Sequence, residues 1–292
     1  MNSFSSYLVE IRTQKGLTQK KLLDSLIEYD EAFKKLDLNT LSRWERGVTT
    51  PPLTKQILIA RCLDCDIKPL LPDDTPNEEE KLAYSLLRTV NPYSKSVHEV
   101  SLNKIKTLLD FSEVEDLIDK FHKDYLCLDI NSHELYLNNV EFLSIIDSEE
   151  NNLLGHLIYG FISEQESNEN IHLSNIKNIK FTPPEDINKK NSILYIVSAY
   201  SSRAEPRVLT LKKITSIIQE NNNIKGFCIT IQYQEVLDFF STLMKYTIIS
   251  LGEKVKYGGI KVYNINTRYI QIYIKSEVFL SSTFIYKSIN HQ

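Results

Sequence analysis

Residues 4–67 carry apolar positions at helical spacing, in short runs divided by tight turns. Gly16 reads as a helix stop, and Thr18 as the cap of the next helix. A further helix is predicted after Asp37, with Leu41 and Trp44 turned to one side. Leu38, Asn39, Ser42, Arg43 and Arg46 share the opposite side. Gly47 closes it, and Pro51-Pro52 precede a last helix at about 54–63. Residues 68–80 are rich in proline and acid and read as a linker. It ends in a helix start, with Thr75 as cap, Pro76 next and Glu78 three residues after the cap. Beyond the Asn91-Pro92 break, Leu102, Ile105, Leu108 and Leu109 lie on one helical side. The Ser112–Glu115 segment opens another helix with Val114, Leu117, Ile118 and Phe121 inward.

From about Cys127 the pattern mixes strand and helix. Strands are predicted at 154–162, 193–200, 224–232, 255–264 and 269–274, all rich in β-branched and aromatic residues. Leu211, Ile214, Ile217 and Ile218 make one helical stripe. Val236, Leu237, Phe240, Leu243, Met244 and Ile248 make another, and Asn266-Thr267 suggests a hairpin turn. The segments 163–170 and 183–191 read as loops. The expected organisation is an all-α domain over 1–67, a linker over 68–80 and an α+β domain over 81–292.

Composition narrows the field. The 292 residues are 42% hydrophobic and 25% charged, enough for sizeable cores. No apolar run approaches the roughly 18–20 residues of a membrane span, and the first residues lack a basic start before an apolar stretch, so a cytoplasmic, non-membrane protein is expected. Cys62, Cys65, Cys127 and Cys228 are too scattered for a disulfide framework. The net charge of −4 is unevenly spread, with ten basic and nine acidic residues in 1–66 and an acid excess beyond. Only 8 glycines occur, which leaves few for a phosphate-cradling loop.

The segments Gly16-Leu17-Thr18-Gln19-Lys20-Lys21-Leu22 and Leu41-Ser42-Arg43-Trp44-Glu45-Arg46-Gly47 together resemble the Cro and phage-repressor (XRE) helix-turn-helix family over about residues 4–67. The resemblance implies Gln19 and Arg46 on DNA phosphates, and Asn39 and Arg43 on bases together with Leu38 and Ser42. It also implies a structural ion pair between Arg12 and Glu45. The chain departs from the family in its middle: the stretch Ile27–Leu36 inserts about eight residues, as a longer second helix or a loop.

From Leu153 onward the order of strands and helices is similar to that of GNAT acyltransferases, a resemblance spanning about residues 100–275. In that family a glycine-bearing turn between strand and helix holds the coenzyme A diphosphate. Here the turn is Ser201-Ser202-Arg203-Ala204-Glu205-Pro206-Arg207, without glycine, with Glu205 adding negative charge and Pro206 removing an amide donor. That departure points to a degenerate domain used for sensing or dimerisation. Other chemistry is sparse: the six histidines show no metal spacing, Cys62-x-x-Cys65 has no second pair, and no Gly-x-Ser-x-Gly motif occurs. Glu113, Glu115, Asp116 and Asp119 read as a solvated helix side.

The expected protein is therefore a sequence-specific transcription regulator rather than an enzyme, with no catalytic residue, metal or cofactor. Its expected partners are double-stranded DNA, a second copy of itself and a small molecule held by the α+β domain. The alternatives are a DNA-tethered acyltransferase, or a phage- or antitoxin-type control protein that grips a protein partner.

Overall fold

The computed structural model describes residues 3–71, 100–104, 108–130, 132–147, 153–165, 171–282 and 284–285. The expected helix start at Thr75–Glu78 and the break at Asn91-Pro92 lie outside them. The described chain divides into two compact units, one from the N-terminal helices with 277–285, the other from the residues up to Ser276.

In the first unit, helix α1 (Phe4–Gln14) is capped by Ser3, α2 (Gln19–Tyr29) by Thr18 and α3 (Leu38–Glu45) by Asp37, each side chain accepting from a first-turn amide. Helix α4 (Leu53–Cys62) follows Pro52. Gly16 at φ +63° and Gly47 at φ +69° take the left-handed conformation that ends α1 and α3. The stretch Ile27–Leu36 does two things. Its first residues finish α2, and Glu31–Phe33 make a 3₁₀ turn capped by Asp30 that buries Phe33 completely. Leu8, Leu22, Leu26, Leu41 and Ile57 complete that core.

The second unit is built on a seven-stranded mixed sheet in the order β1-β2-β3-β4-β5-β9-β6. Its strands are β1 (Val100–Lys104), β2 (Glu141–Asp147), β3 (Leu153–Ser163), β4 (Ser192–Ser201), β5 (Ile224–Ile231), β6 (Thr247–Leu251) and β9 (Ile270–Lys275). Every neighbouring pair is antiparallel except β4 and β5, which are parallel. The crossover between these two is helix α7 (Ala204–Glu220), as a parallel connection requires. Helix α8 (Gln234–Leu243) follows β5, and β7 (Ile260–Val262) with β8 (Ile265–Thr267) form a separate hairpin.

One side of the sheet is covered by α5 (Leu108–Phe121), the π-helical turn His122–Leu126, α6 (Ser132–Leu137) and the segment 171–181, around Ile158, Ile162, Tyr195 and Cys228. Helix α7 lies against β4, β3 and β1, and α8 against β5. With both faces covered, β3 and β4 are buried at successive positions and read as continuous apolar runs instead of alternating ones.

Several expectations are corrected. Leu102 lies in β1, not on a helix with Leu108, because its neighbours pair with β2. Helix α5 starts at Leu108, ahead of the capping sequence at Ser112, and leaves Leu117 53% exposed. The stripe ending at Ile248 breaks at Leu243, and Ile248 pairs with β9. The hairpin turns at Tyr263-Asn264, whose positive φ values suit a two-residue turn, two positions before Asn266.

Candidate active site

β4 and β5 run side by side only from Ser192↔Ile224 to Ile196↔Ile229. β4 nevertheless continues to Ser201, paired on its outer edge with β3 as far as Gly155↔Ser201. β5 continues to Ile231, paired on its outer edge with β9 through Ile231↔Ile270. Each strand is thus held by its outer neighbour while the inner edges part. The result is a cleft of about 460 Å³ at the carboxyl end of the parallel pair. Ala199, Tyr200 and Ser201, which lie beyond the last ladder pair Ile196↔Ile229, line this gap. In sheets with a parallel pair, the crevice beyond the carboxyl ends is where ligands bind.

The cleft is walled by Ala199, Tyr200 and Ser201 of β4, and by Ile229, Thr230 and Ile231 of β5. Leu211 and Ile214 of α7 and Phe239 and Phe240 of α8 close its apolar end. Two polar atoms among its lining residues are buried without a hydrogen-bond partner, Thr230 Oγ1 and Gln232 Nε2. A buried polar group left unpaired costs about 1–3 kcal/mol, so both mark where a bound polar group would be welcome. Helix α7 begins there with no side-chain cap at Arg203, and α8 with none at Tyr233. Helix N-termini favour anions, and one cation and one anion, Arg207 and Glu235, line this end of the cleft. Tyr233 is 41% exposed at the lining, and burial together with Tyr200 and Tyr125 raises its phenol pKa, an effect that Arg207 opposes.

On the far side of β4 from α7 sits a buried polar cluster. Ser198 Oγ lies 2.9 Å from His122 Nε2 and 3.1 Å from His156 Nε2. His122 Nδ1 is 3.4 Å from Ser132 Oγ, and the Ser132 amide donates to Asp119 Oδ1 at 3.2 Å. Burial lowers the His122 pKa to about 4 against an opposing Asp119, and burial plus His122 lowers His156 to about 3. Both imidazoles are neutral at pH 7. Asp119, expected on a solvated side, belongs to this cluster. Nothing in the spacing of residues 119, 122, 156 and 198 announces it, because α5, β3 and β4 meet only through the sheet.

The residues singled out in the N-terminal unit are placed as follows. Leu38, Asn39, Arg43 and Arg46 are exposed on α3, while Ser42 is half-buried. Arg12 Nε donates to Glu45 Oε1 at 2.5 Å and Arg12 Nη2 to Glu45 Oε2 at 3.2 Å. Gln19 Nε2 donates to that same Glu45 Oε2 at 2.7 Å. Cys62 and Cys65 form no disulfide, and no group of three or more potential metal ligands occurs among the described residues. No helix among them is long and apolar enough to cross a membrane.

No family model matches the chain, and no curated protein does. Among solved structures it is similar to NAA60 of Arabidopsis thaliana in complex with acetyl-CoA, at 10% identity and TM-score 0.39, over 61% of this chain and 98% of that one. It is similar to FeeM, an N-acyl amino acid synthase from uncultured soil microbes, at 12% identity and TM-score 0.40, over 64% and 96%. A third is BjaI, a CoA-dependent acyl-homoserine lactone synthase, at 10% identity and TM-score 0.31, over 64% and 90%. These likenesses are distant, with every TM-score at 0.40 or below. The expectation of a DNA-binding regulator that is not an enzyme is corrected to this extent: the similar structures are described as a complex with acetyl-CoA and as two synthases, and none of the three as a DNA-binding regulator. The Cro and phage-repressor resemblance has no counterpart among them.

Proposed function

We propose that the sheet unit binds an acyl thioester of coenzyme A and transfers its acyl group to a nucleophilic acceptor. The observation that carries this reading is the parting of β4 and β5 beyond Ile196↔Ile229, with a cleft opening where their ladder stops. A slim linear arm bearing amides suits such a gap, since it can satisfy inner-edge amides and carbonyls as a third strand would. The arm of coenzyme A is of that kind. Thr230 Oγ1 and Gln232 Nε2 offer further unpaired polar atoms, and Leu211, Ile214, Phe239 and Phe240 offer an apolar end for the acyl chain.

The diphosphate end fits differently. Without glycines in the turn, and with Pro206 lacking an amide hydrogen, α7 offers fewer donors than a glycine-bearing turn would. Arg203 and Arg207 supply cationic groups in their place. When bound, the thioester supplies an activated carbonyl. The chain's own contribution is to hold the arm in the cleft, exclude water with Phe239 and Phe240, and keep a protonated phenol at Tyr233. In this reading that phenol, which lines the cleft, donates its proton to the departing thiolate.

Calorimetric titration of the full chain with acetyl-, octanoyl- and dodecanoyl-coenzyme A tests the reading. Micromolar binding by at least one, weakened about tenfold or more in Arg207→Ala, is expected. Absence of heat for all three at millimolar ligand, with no thermal stabilisation, would overturn it.

A further inference from the structure

The Ser198 cluster stands at the one place where β4 changes neighbours. On the β3 side the register passes from Ser198↔Ile158 to Ile196↔Tyr159, so Val197 has no partner of its own and makes a β-bulge. On the β5 side pairing ends at Ile196↔Ile229. The bulge and the end of the parallel ladder therefore coincide, and Ser198 is the first residue beyond both. Its hydroxyl is completely buried and meets two imidazoles, one from β3 and one from the turn after α5.

A hydroxyl has one proton. Ser198 therefore donates to one Nε2 and accepts from the other ring's N–H, which makes the two histidines a complementary pair. His122 is anchored in turn by Ser132 and the nearby Asp119, and His156 packs at 4.7 Å against the edge of Phe121. His156 also faces Tyr200, at 6.4 Å between ring centres, and Tyr200 lines the cleft. Buried hydrogen-bonded networks of this kind favour one geometry, because breaking them leaves polar atoms unpaired.

We propose that Ser198, clamped between His122 and His156, is a positioning residue that holds β4 away from β5 and so keeps the acyl-thioester cleft open. This rests on the reading of the cleft given above. The hydroxyl has no exposed surface and does not touch the cleft, so it acts through the β4 backbone. Without the clamp, residues 197–201 lose the tie that fixes the bulge and are free to drift toward the unpaired end of β5.

The test compares the parent with Ser198→Ala, with His156→Phe, which removes the Nε2 partner while keeping a ring, and with His156→Gln, whose amide replaces the Nε2 hydrogen bond. Two readouts are taken. One is amide hydrogen exchange of 197–202 without ligand, and the other is the dissociation constant for acetyl-coenzyme A. Ser198→Ala and His156→Phe are expected to speed exchange of that segment about tenfold and weaken binding about tenfold. Exchange within 3–71 should not change, and His156→Gln should stay within about threefold of the parent. Parent-like exchange and binding in folded Ser198→Ala would overturn the clamp. Should Ser198→Ala not fold, equal exchange in His156→Phe and His156→Gln would overturn it. Faster exchange in a parent-and-variant set that binds no coenzyme A ester would uphold the clamp and sink the assigned ligand instead.

Discussion

Single atoms decide much of the site. A Cβ at Gly155 would strike the Tyr200 carbonyl oxygen, since Gly155 stands opposite Ser201 where β3 holds the diverging end of β4. Gly155→Ala should therefore cost about 1–3 kcal/mol in urea unfolding and weaken acetyl-coenzyme A binding, because the backbone that must yield is a wall of the cleft. Tyr233→Phe removes the phenol without changing the ring. It should lower kcat by about 10²-fold with KM nearly unchanged, and an unchanged kcat would remove Tyr233 from the reaction. The residues that give these predictions differ in how legible they were. Asp37, Leu41 and Trp44 act through neighbours within one helix, so their roles could be read from spacing. Ser198 draws its meaning from residues 76 and 42 positions away.

Among elements, the informative case is the cluster that ties α5 and its π turn to β3 and β4. Both histidines have pKa values lowered below the ordinary 6.5, His122 to about 4 and His156 to about 3. The unfolded chain takes up protons as pH falls through 6.5 while the folded chain does not. Stability is therefore unaffected above that pH and lost progressively between about 6.5 and 4. The slope per histidine is up to about 1.4 kcal/mol per pH unit. Thermal midpoints measured from pH 7.5 to 4.5 should drop more steeply for the parent than for His156→Gln, and parallel curves would contradict this account. Strand identity was readable from β-branched content for β3, β4, β5 and β9 but not for β1, β2 and β6, the expected strand at 255–264 shrinks to Ile260–Val262, and helix α8 was readable from its stripe. The stripe ran on to Ile248 because an edge strand with one apolar face extends the same run of residues past the helix end.

At the scale of the molecule, each unit has its own core. In the helical unit, Arg61 is only 4% exposed, and Glu277 from α9 (Ser276–Leu280) is 8% exposed. Burial lowers the Arg61 pKa, with Tyr29 and Glu277 acting against it. Removing the carboxylate leaves a buried cation with less compensation, so Glu277→Ala should destabilise this unit by about 3–5 kcal/mol. Chemical unfolding followed at Trp44, the one tryptophan, reports that unit directly. A midpoint equal to the parent's would show that Glu277 contributes nothing. Phe279 and Phe284, both fully buried, add apolar weight to the same C-terminal segment.

By itself the sequence determined what depends on near neighbours. The caps at Thr18 and Asp37, the stops at Gly16 and Gly47, the apolar stripe of α7 and the strands around 154–162, 193–200 and 224–232 all rest on contacts within a few residues. It also showed the absence of glycine in the turn after β4. Tertiary structure alone decided that β4 and β5 part after Ile196↔Ile229 and that Ser198 meets two histidines there. The physical reason is that a cleft is made by pairing that stops. Where a strand loses one neighbour while keeping the other is set by bulges and buried partners brought in from distant segments, and local periodicity carries no trace of either.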